Sequence, residues 1–266
     1  MRTSGSHHST VAAMRALYAA LFCAVLTNQA VAQIGQAQPG EDAAASEKRD
    51  LADALARLRQ GSPFLADITR ISRAGVVQAI PELEKQFAAT EDENRKGSIA
   101  SALVRLGDKG GSYWEYLVSA ASPATDTEVP SQEQFDARGI FVPGPSPEFI
   151  AWAAAHNQSV DAALRERHRL SEKVLLLGMT GDWRAIPLLR KALLSHDSMT
   201  QAFAAQGLLE ARDKASIPLI IAACERTPTD AAFGISQHSL LHFDDEQART
   251  AARRFAAAYA ATRATK

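Results

Sequence analysis

The apolar positions of this chain recur on two scales. Locally they fall three and four residues apart, as at Ile186, Leu189 and Leu193, which places them on one face of a helix. Over longer distances a whole pattern returns. Asp182-Trp183-Arg184-Ala185-Ile186-Pro187-Leu188-Leu189 reappears 31 residues on as Asp213-Lys214-Ala215-Ser216-Ile217-Pro218-Leu219-Ile220. Ala79-Ile80-Pro81-Glu82-Leu83 is a third copy, with Val76 in the column that elsewhere holds aspartate. Asp108 follows Val76 by 32 residues and Asp245 follows Asp213 by 32, and Gln206-Gly207-Leu208-Leu209 aligns with His238-Ser239-Leu240-Leu241. A fixed period of this length marks stacked supersecondary units, none of which can bury its apolar face alone.

Each unit reads as two helices. The Ile-Pro pair opens the first, since proline in a first turn breaks no helical hydrogen bond. The aspartate ahead of it can accept orphan backbone N–H groups, so the recurring acids read as caps rather than as a catalytic ladder. A polar break such as Ser195-His196-Asp197-Ser198 then caps the second helix, which carries Phe203, Leu208 and Leu209 among alanines. The spacing predicts an all-α chain of about five antiparallel pairs: 47–60 with 63–74, 78–89 with 92–106, 111–121 with 168–179, 184–195 with 198–211, and 215–227 with 229–243. A last helix over 246–262 closes the stack, with Arg249, Arg253 and Arg254 on its outer face.

One unit is irregular. Asp108 and Asp182 are 74 residues apart, so the third repeat holds about 43 extra residues. Pro123, Pro130, Pro143, Pro145 and Pro147 forbid helix over most of 122–147. Ser146-Pro147-Glu148 opens a helix over Phe149–Ala155, Asn157-Gln158-Ser159 punctuates it, and Val160–Arg169 is a charged helical segment. This insertion, 122–169, carries Phe135, Ile140-Phe141-Val142 and Trp152, apolar enough to pack rather than float. Long connections of this kind are functional more often than shorter ones. It reads either as a recognition loop over a concave groove or as a decoration that seals the irregular repeat.

The Asp-x-x-Ala/Ser-Ile-Pro-x-Leu columns resemble HEAT-like repeats of the phycobilisome-lyase type, over roughly 76–121 and 170–245. The resemblance implies a right-handed superhelix (an α-solenoid) whose second helices form a concave surface. It implies a scaffold or binding adaptor more often than an enzyme. Bilin lyase chemistry is its enzymatic neighbour, and no catalytic residue carries over from it to a position here. The di-iron hydroxylases among HEAT-like proteins use His-Glu dipeptides, and this chain has none.

The amino terminus reads as an export signal. Arg15 precedes the apolar run Ala16–Leu26, and Thr27-Asn28-Gln29 leads to Ala30-Val31-Ala32, an A-x-A cleavage site before Gln33. The run is too short to span a membrane, which needs roughly 20 apolar residues. Met14-Arg15 would make a compact start of its own. Residues 1–32 are thus expected to be a signal peptide, 33–46 a flexible leader and 47–262 the repeat domain of an exported bacterial protein, periplasmic or secreted. Cleavage after Ala32 leaves Cys224 as the sole cysteine, in an apolar helical pattern that reads as core.

Composition narrows the partners. The 266 residues carry 29 basic and 30 acidic side chains. Removing residues 1–32 takes two arginines and no acid, leaving 27 basic residues and a net charge of −3. A near-neutral surface does not suit nucleic acid. The abundance of alanine with only 6% aromatics suits helices packed closely through small side chains. No zinc-protease, nucleophile-elbow or phosphate-loop motif is present, and nothing calls for a cofactor. His238 and His242, four apart on the predicted second helix, are the nearest approach to a metal pair, without a third ligand at fixed spacing. The expected partner is a protein or peptide. Candidate binding residues are Phe135, Phe141 and Trp152 in the insertion, with Arg105, Glu210 and His238 on the second helices. A cell-envelope enzyme or enzyme accessory, lyase-like, with a site beneath the insertion is the alternative.

Overall fold

A computed structural model describes residues 41–61, 63–107, 111–126 and 128–264. The predicted signal peptide and most of the leader lie outside these residues. The chain divides at Asp53–Ala54, and the arrangement below concerns residues from Ala54 on. The protein is predominantly helical, with twelve α-helices and one short hairpin among the described residues. The helices are α1 (Glu41–Arg59), α2 (Leu65–Arg73), α3 (Ile80–Ala89), α4 (Glu93–Arg105), α5 (Ser112–Ala121) and α6 (Pro147–Ala155). They continue as α7 (Val160–Gly178), α8 (Ile186–Ala192), α9 (Ser198–Glu210), α10 (Ile217–Arg226), α11 (Thr229–His238) and α12 (Glu246–Ala264).

Helices α2, α4, α7, α9 and α11 pack on one another in succession, while α3, α5, α8, α10 and α12 each cover one or two of them. The core between these layers is aliphatic and alanine-rich, including Ala100, Leu117, Val174, Leu177, Leu189, Ala204, Leu208, Ile220 and Ile235. At its centre α7 and α9 meet backbone to backbone. A Cβ placed on Gly178 would stand 2.6 Å from the Cα of Gly207, and one placed on Gly207 would stand 2.7 Å from that of Gly178. Cys224 is fully buried, and desolvation pushes its thiol up to about 12, so it is a core side chain and not a nucleophile.

The repeat has a recurring geometry at the joint between a second helix and the next first helix. Gly75, Gly107 and Gly181 each stand one residue ahead of the aspartate column, with φ of 68°, 98° and 64°. At the fourth joint Arg212 takes the same left-handed conformation, with φ of 55°. The N–H groups of Val76 and Asp213 reach back to the carbonyls of Ile71 and Leu208, the long bond of a Schellman-type helix end. At the Gly75, Gly181 and Arg212 joints a single 3-10 turn follows (Val77–Ala79, Trp183–Ala185, Lys214–Ser216), and then Ile-Pro opens the next α-helix.

The aspartates of the column act less uniformly than their spacing suggests. Asp182 caps its turn by accepting from the Arg184 N–H at 2.8 Å, and Asp245 accepts from the Ala248 N–H at 3.1 Å. Asp213 instead takes the Ser216 hydroxyl, a group that Ala185 lacks at the equivalent position, and the Arg190 guanidinium.

Four boundaries depart from the sequence reading. Helix α1 begins at Glu41, so residues 41–46 are its first turns rather than flexible leader. Helix α7 runs unbroken through Arg169, since nothing in Val160–Gly178 stops a helix and its apolar face is continuous. The irregular part of the insertion therefore ends at Ser159, the N-cap of α7. Third, the proline-rich segment forms antiparallel strands, β1 (Glu133–Phe135) and β2 (Phe141–Pro145), joined through Gly139 at φ 76°. Pro143 and Pro145 offer no N–H, which confines the ribbon to two strands. Fourth, α11 ends at His238, where Ser239 leaves helical geometry, and His242 sits on a separate 3-10 turn. Helix α6 begins at Pro147 behind its Ser146 cap, and its Phe149 and Ala153 form a satellite core with Val129, Ala163 and Leu164.

Candidate functional site

The hairpin is seated at two places, both at the amino-terminal ends of second helices. Glu133 of β1 is buried and accepts from the N–H and hydroxyl of Ser198, the first residue of α9. One orphan backbone donor at that helix end, the Ser198 N–H, is thus met by a carboxylate from the insertion. Beside it Asp197, the buried N-cap of α9, accepts from the Thr200 N–H at 2.7 Å, the Thr200 and Ser171 hydroxyls, and the Gln132 amide at 2.9 Å. Burial first, and then the charge of Asp197, push the Glu133 carboxyl up to about 7. On α7, Arg167 lies buried with its Nη2 donating to the Ser195 hydroxyl at 3.3 Å. On the same helix His168 is raised by its bond to Glu172 and by the charge of Asp197.

The second seat is at α11. Gly139 approaches so closely that a Cβ there would stand 2.6 Å from the Thr229 nitrogen. The Asp230 N–H donates to the Gly139 carbonyl, the Asp230 carboxylate accepts from the Phe141 N–H at 3.0 Å, and Arg263 of α12 donates to the same oxygen at 2.8 Å. So held, the insertion presents two apolar side chains to solvent. Phe141 is 42% exposed with Phe135 edge-on to it at 6.1 Å, and Ile150 is 43% exposed. Trp152 is occupied differently: it stacks on Phe149 at 5.7 Å and against the His156 ring at 4.5 Å, half-buried over the satellite core.

The candidate residues on the second helices gather at the opposite edge. Glu210 closes α9, twelve residues after Ser198, which is about 18 Å along the helix. Its two oxygens accept from Arg73 of α2 at 2.6 Å and from Arg105 of α4 at 2.9 Å, and Arg105 also donates to the Met179 carbonyl at 2.8 Å. Arg73, Arg105, Met179 and Glu210 occupy one column, three residues before the aspartate position. The Arg73–Glu210 pair therefore links α2 to α9 across 137 residues. His238 is elsewhere, at the end of α11; burial and the nearby His242 hold its imidazole below the usual range, and His242 is likewise lowered by burial. Among the described residues no three of His, Cys, Asp or Glu converge to hold a metal.

The six candidates thus form two groups and two outliers: Phe135 with Phe141, Arg105 with Glu210, and Trp152 and His238 apart. Glu133, Asp230, Arg73 and Arg212 were not singled out by sequence reasoning. The Gly75, Gly107, Gly181 column was the signal that could have exposed Arg212, a residue with a Cβ in a column that three earlier joints fill with glycine. No helix among the described residues is long and apolar enough to cross a membrane. Models of known families, curated proteins and solved structures yield no match to this chain.

Proposed function

We propose that this chain is an exported HEAT-like repeat scaffold, an α-solenoid of about five helix pairs that binds a protein or peptide through its concave face and its insertion. The repeating joint supports the repeat reading: the left-handed residue, the 3-10 turn and the Ile-Pro entry recur at the same column. One observation carries the binding role. The insertion is anchored at α9 and α11 by Glu133 and Asp230, yet Phe141 and Ile150 face solvent. Ordered apolar side chains kept out of the core suit recognition more than packing.

The test is capture from the envelope fraction of the source cells, with the mature chain as bait beside a Phe141→Asp, Ile150→Asp variant. The wild-type bait is expected to retain a defined protein set that the variant loses by at least about tenfold, the effect of a lost anchor pair. Equal recovery by both baits would remove the insertion from the account. An empty wild-type bait would remove the adaptor reading.

A cell-envelope enzyme or enzyme accessory, lyase-like, is the second reading. Two carboxylates are buried together beneath the hairpin, and Glu133 is raised toward neutrality as a general acid would be. Against it stands the saturation of both groups by donors from α7, α9 and the insertion, which is what caps require.

A further inference from the structure

Arg212 is the one residue with a Cβ that takes the left-handed conformation at this column among the described residues. The equivalent joints use Gly75, Gly107 and Gly181 for the left-handed conformation, which costs a residue with a Cβ on the order of 1 kcal/mol. The backbone bonds of the helix end, Arg212 N–H to Leu209 and Asp213 N–H to Leu208, are ones a glycine would make equally well, so they do not call for an arginine. Arg212 is exposed, and its guanidinium meets no acceptor among the described residues. A strained cation without an internal partner points to a role outside the chain.

Its surroundings say what that role is. Two residues before it, Glu210 is shared by Arg73 and Arg105, two guanidiniums on one carboxylate, and Arg212 leaves the same helix end as a further exposed cation among the described residues. The neighbouring charges cancel: Arg184 is fully engaged by Asp182, and Arg190 by Asp213. The joint of the preceding repeat lies directly alongside, with a Cβ on Gly181 falling 3.3 Å from the Glu210 carbonyl and 3.4 Å from the Arg105 Nη1. Two residues after Gly181 comes Trp183, at 75% the most exposed large apolar side chain of the described residues. Arg184, beside it, stacks on Trp114 and leaves Trp183 uncovered. An exposed indole flanked by surplus guanidiniums is complementary to an acidic segment carrying an apolar residue.

We infer that the joint edge formed by Arg73, Arg105, Trp183 and Arg212 docks an extended acidic segment of a partner protein. The carboxylates of that segment pair with Arg212 and with the free donors of Arg73 and Arg105, and an apolar side chain lies on Trp183. This names the partner chemistry of the scaffold proposed above and rests on that reading, while placing a contact about 18 Å from the seat of the hairpin.

The test is fluorescence anisotropy with a labelled short peptide rich in Glu and Asp with one central Phe, beside its Gln/Asn counterpart. The wild-type chain is expected to bind the acidic peptide, to lose it as salt rises, and to ignore the neutral one. Arg212→Gly is expected to weaken binding about tenfold, the loss of one charge-assisted pair, and Trp183→Ala by a similar factor. Because glycine suits the left-handed joint, Arg212→Gly should unfold at higher urea while binding less. A misfolded variant cannot do both. Failure of the wild-type chain to bind the acidic peptide overturns the inference, as does equal binding by Arg212→Gly or equal binding of the neutral peptide. Envelope capture separates the two levels. Partners kept by Arg212→Gly and Trp183→Ala but lost by Phe141→Asp, Ile150→Asp overturn this surface and leave the scaffold standing. A wild-type bait that captures nothing overturns both.

Discussion

Gly207→Ala puts a methyl group where two backbones touch. The new Cβ would lie 2.7 Å from the Gly178 Cα and 2.9 and 3.0 Å from the two Leu189 methyls. Carbon atoms settle about 3.5–4.0 Å apart, so α7 and α9 must part by about 1 Å where they cross. The Gly178 backbone cannot rotate away as a side chain can, which sets the overpacking cost near about 3 kcal/mol. Alanine returns about 1 kcal/mol through its better helix propensity. The net destabilisation is then about 2 kcal/mol, or about 4–8 °C in Tm for a domain of roughly 200 residues. Urea unfolding measures it, with Gly97→Ala as a control whose nearest obstacle, at 2.6 Å, is the movable Leu176 Cδ1. Gly178→Ala combined with Gly207→Ala is expected to cost less than the two separately, because one methyl already parts the helices. A Gly207→Ala variant as stable as wild type would refute the close crossing of α7 and α9.

Other consequences follow from the hairpin and the joint edge. Glu133 has a folded-state pKa raised from the ordinary 4.5 to about 7, so its contribution is complete below about 4.5 and is lost as pH rises through about 7. Hydrogen-exchange protection of the Phe141 amide is therefore expected to fall between pH 5 and 8, and to lose this dependence in Glu133→Gln. Gly139→Ala adds a Cβ at φ 76° and against the Thr229 nitrogen, so the same amide is expected to lose protection while core amides such as that of Leu177 keep theirs. Glu210→Gln leaves Arg73 and Arg105 facing each other without a charge between them. In a half-exposed cluster that loss is expected to cost about 1 kcal/mol, less at high salt, read by urea unfolding at two ionic strengths.

What the sequence revealed was whatever is encoded locally. Ile80-Pro81, Ile186-Pro187 and Ile217-Pro218 each open a helix because proline fixes the first turn wherever the unit sits. Ser146, Ser159 and Asp197 cap helices because their side chains serve N–H groups three residues on. The close crossing of α7 on α9 rests on Gly178 and Gly207 rather than on the abundant alanines. The hairpin escaped notice because prolines were read only as excluding helix, although Phe135 and Phe141 flank a turn that ends in glycine. Its seat was not legible at all. Glu133 meets Ser198 across 65 residues and Arg73 meets Glu210 across 137, and no local preference marks either partner for the other. The helix 229–243 was overextended because Ser239 breaks it without a proline or glycine to announce the break.

The proposed scaffold role requires that the chain hold a partner at the Phe141 and Trp183 edges. Photo-crosslinking in the source cell tests that directly, with a photoreactive phenylalanine analogue placed at position 141, 183 or 253 in turn. A discrete adduct with an envelope protein is expected from positions 141 and 183, and none from position 253 on the outer face of α12. No adduct from 141 or 183, or equal adducts from 253, would contradict it.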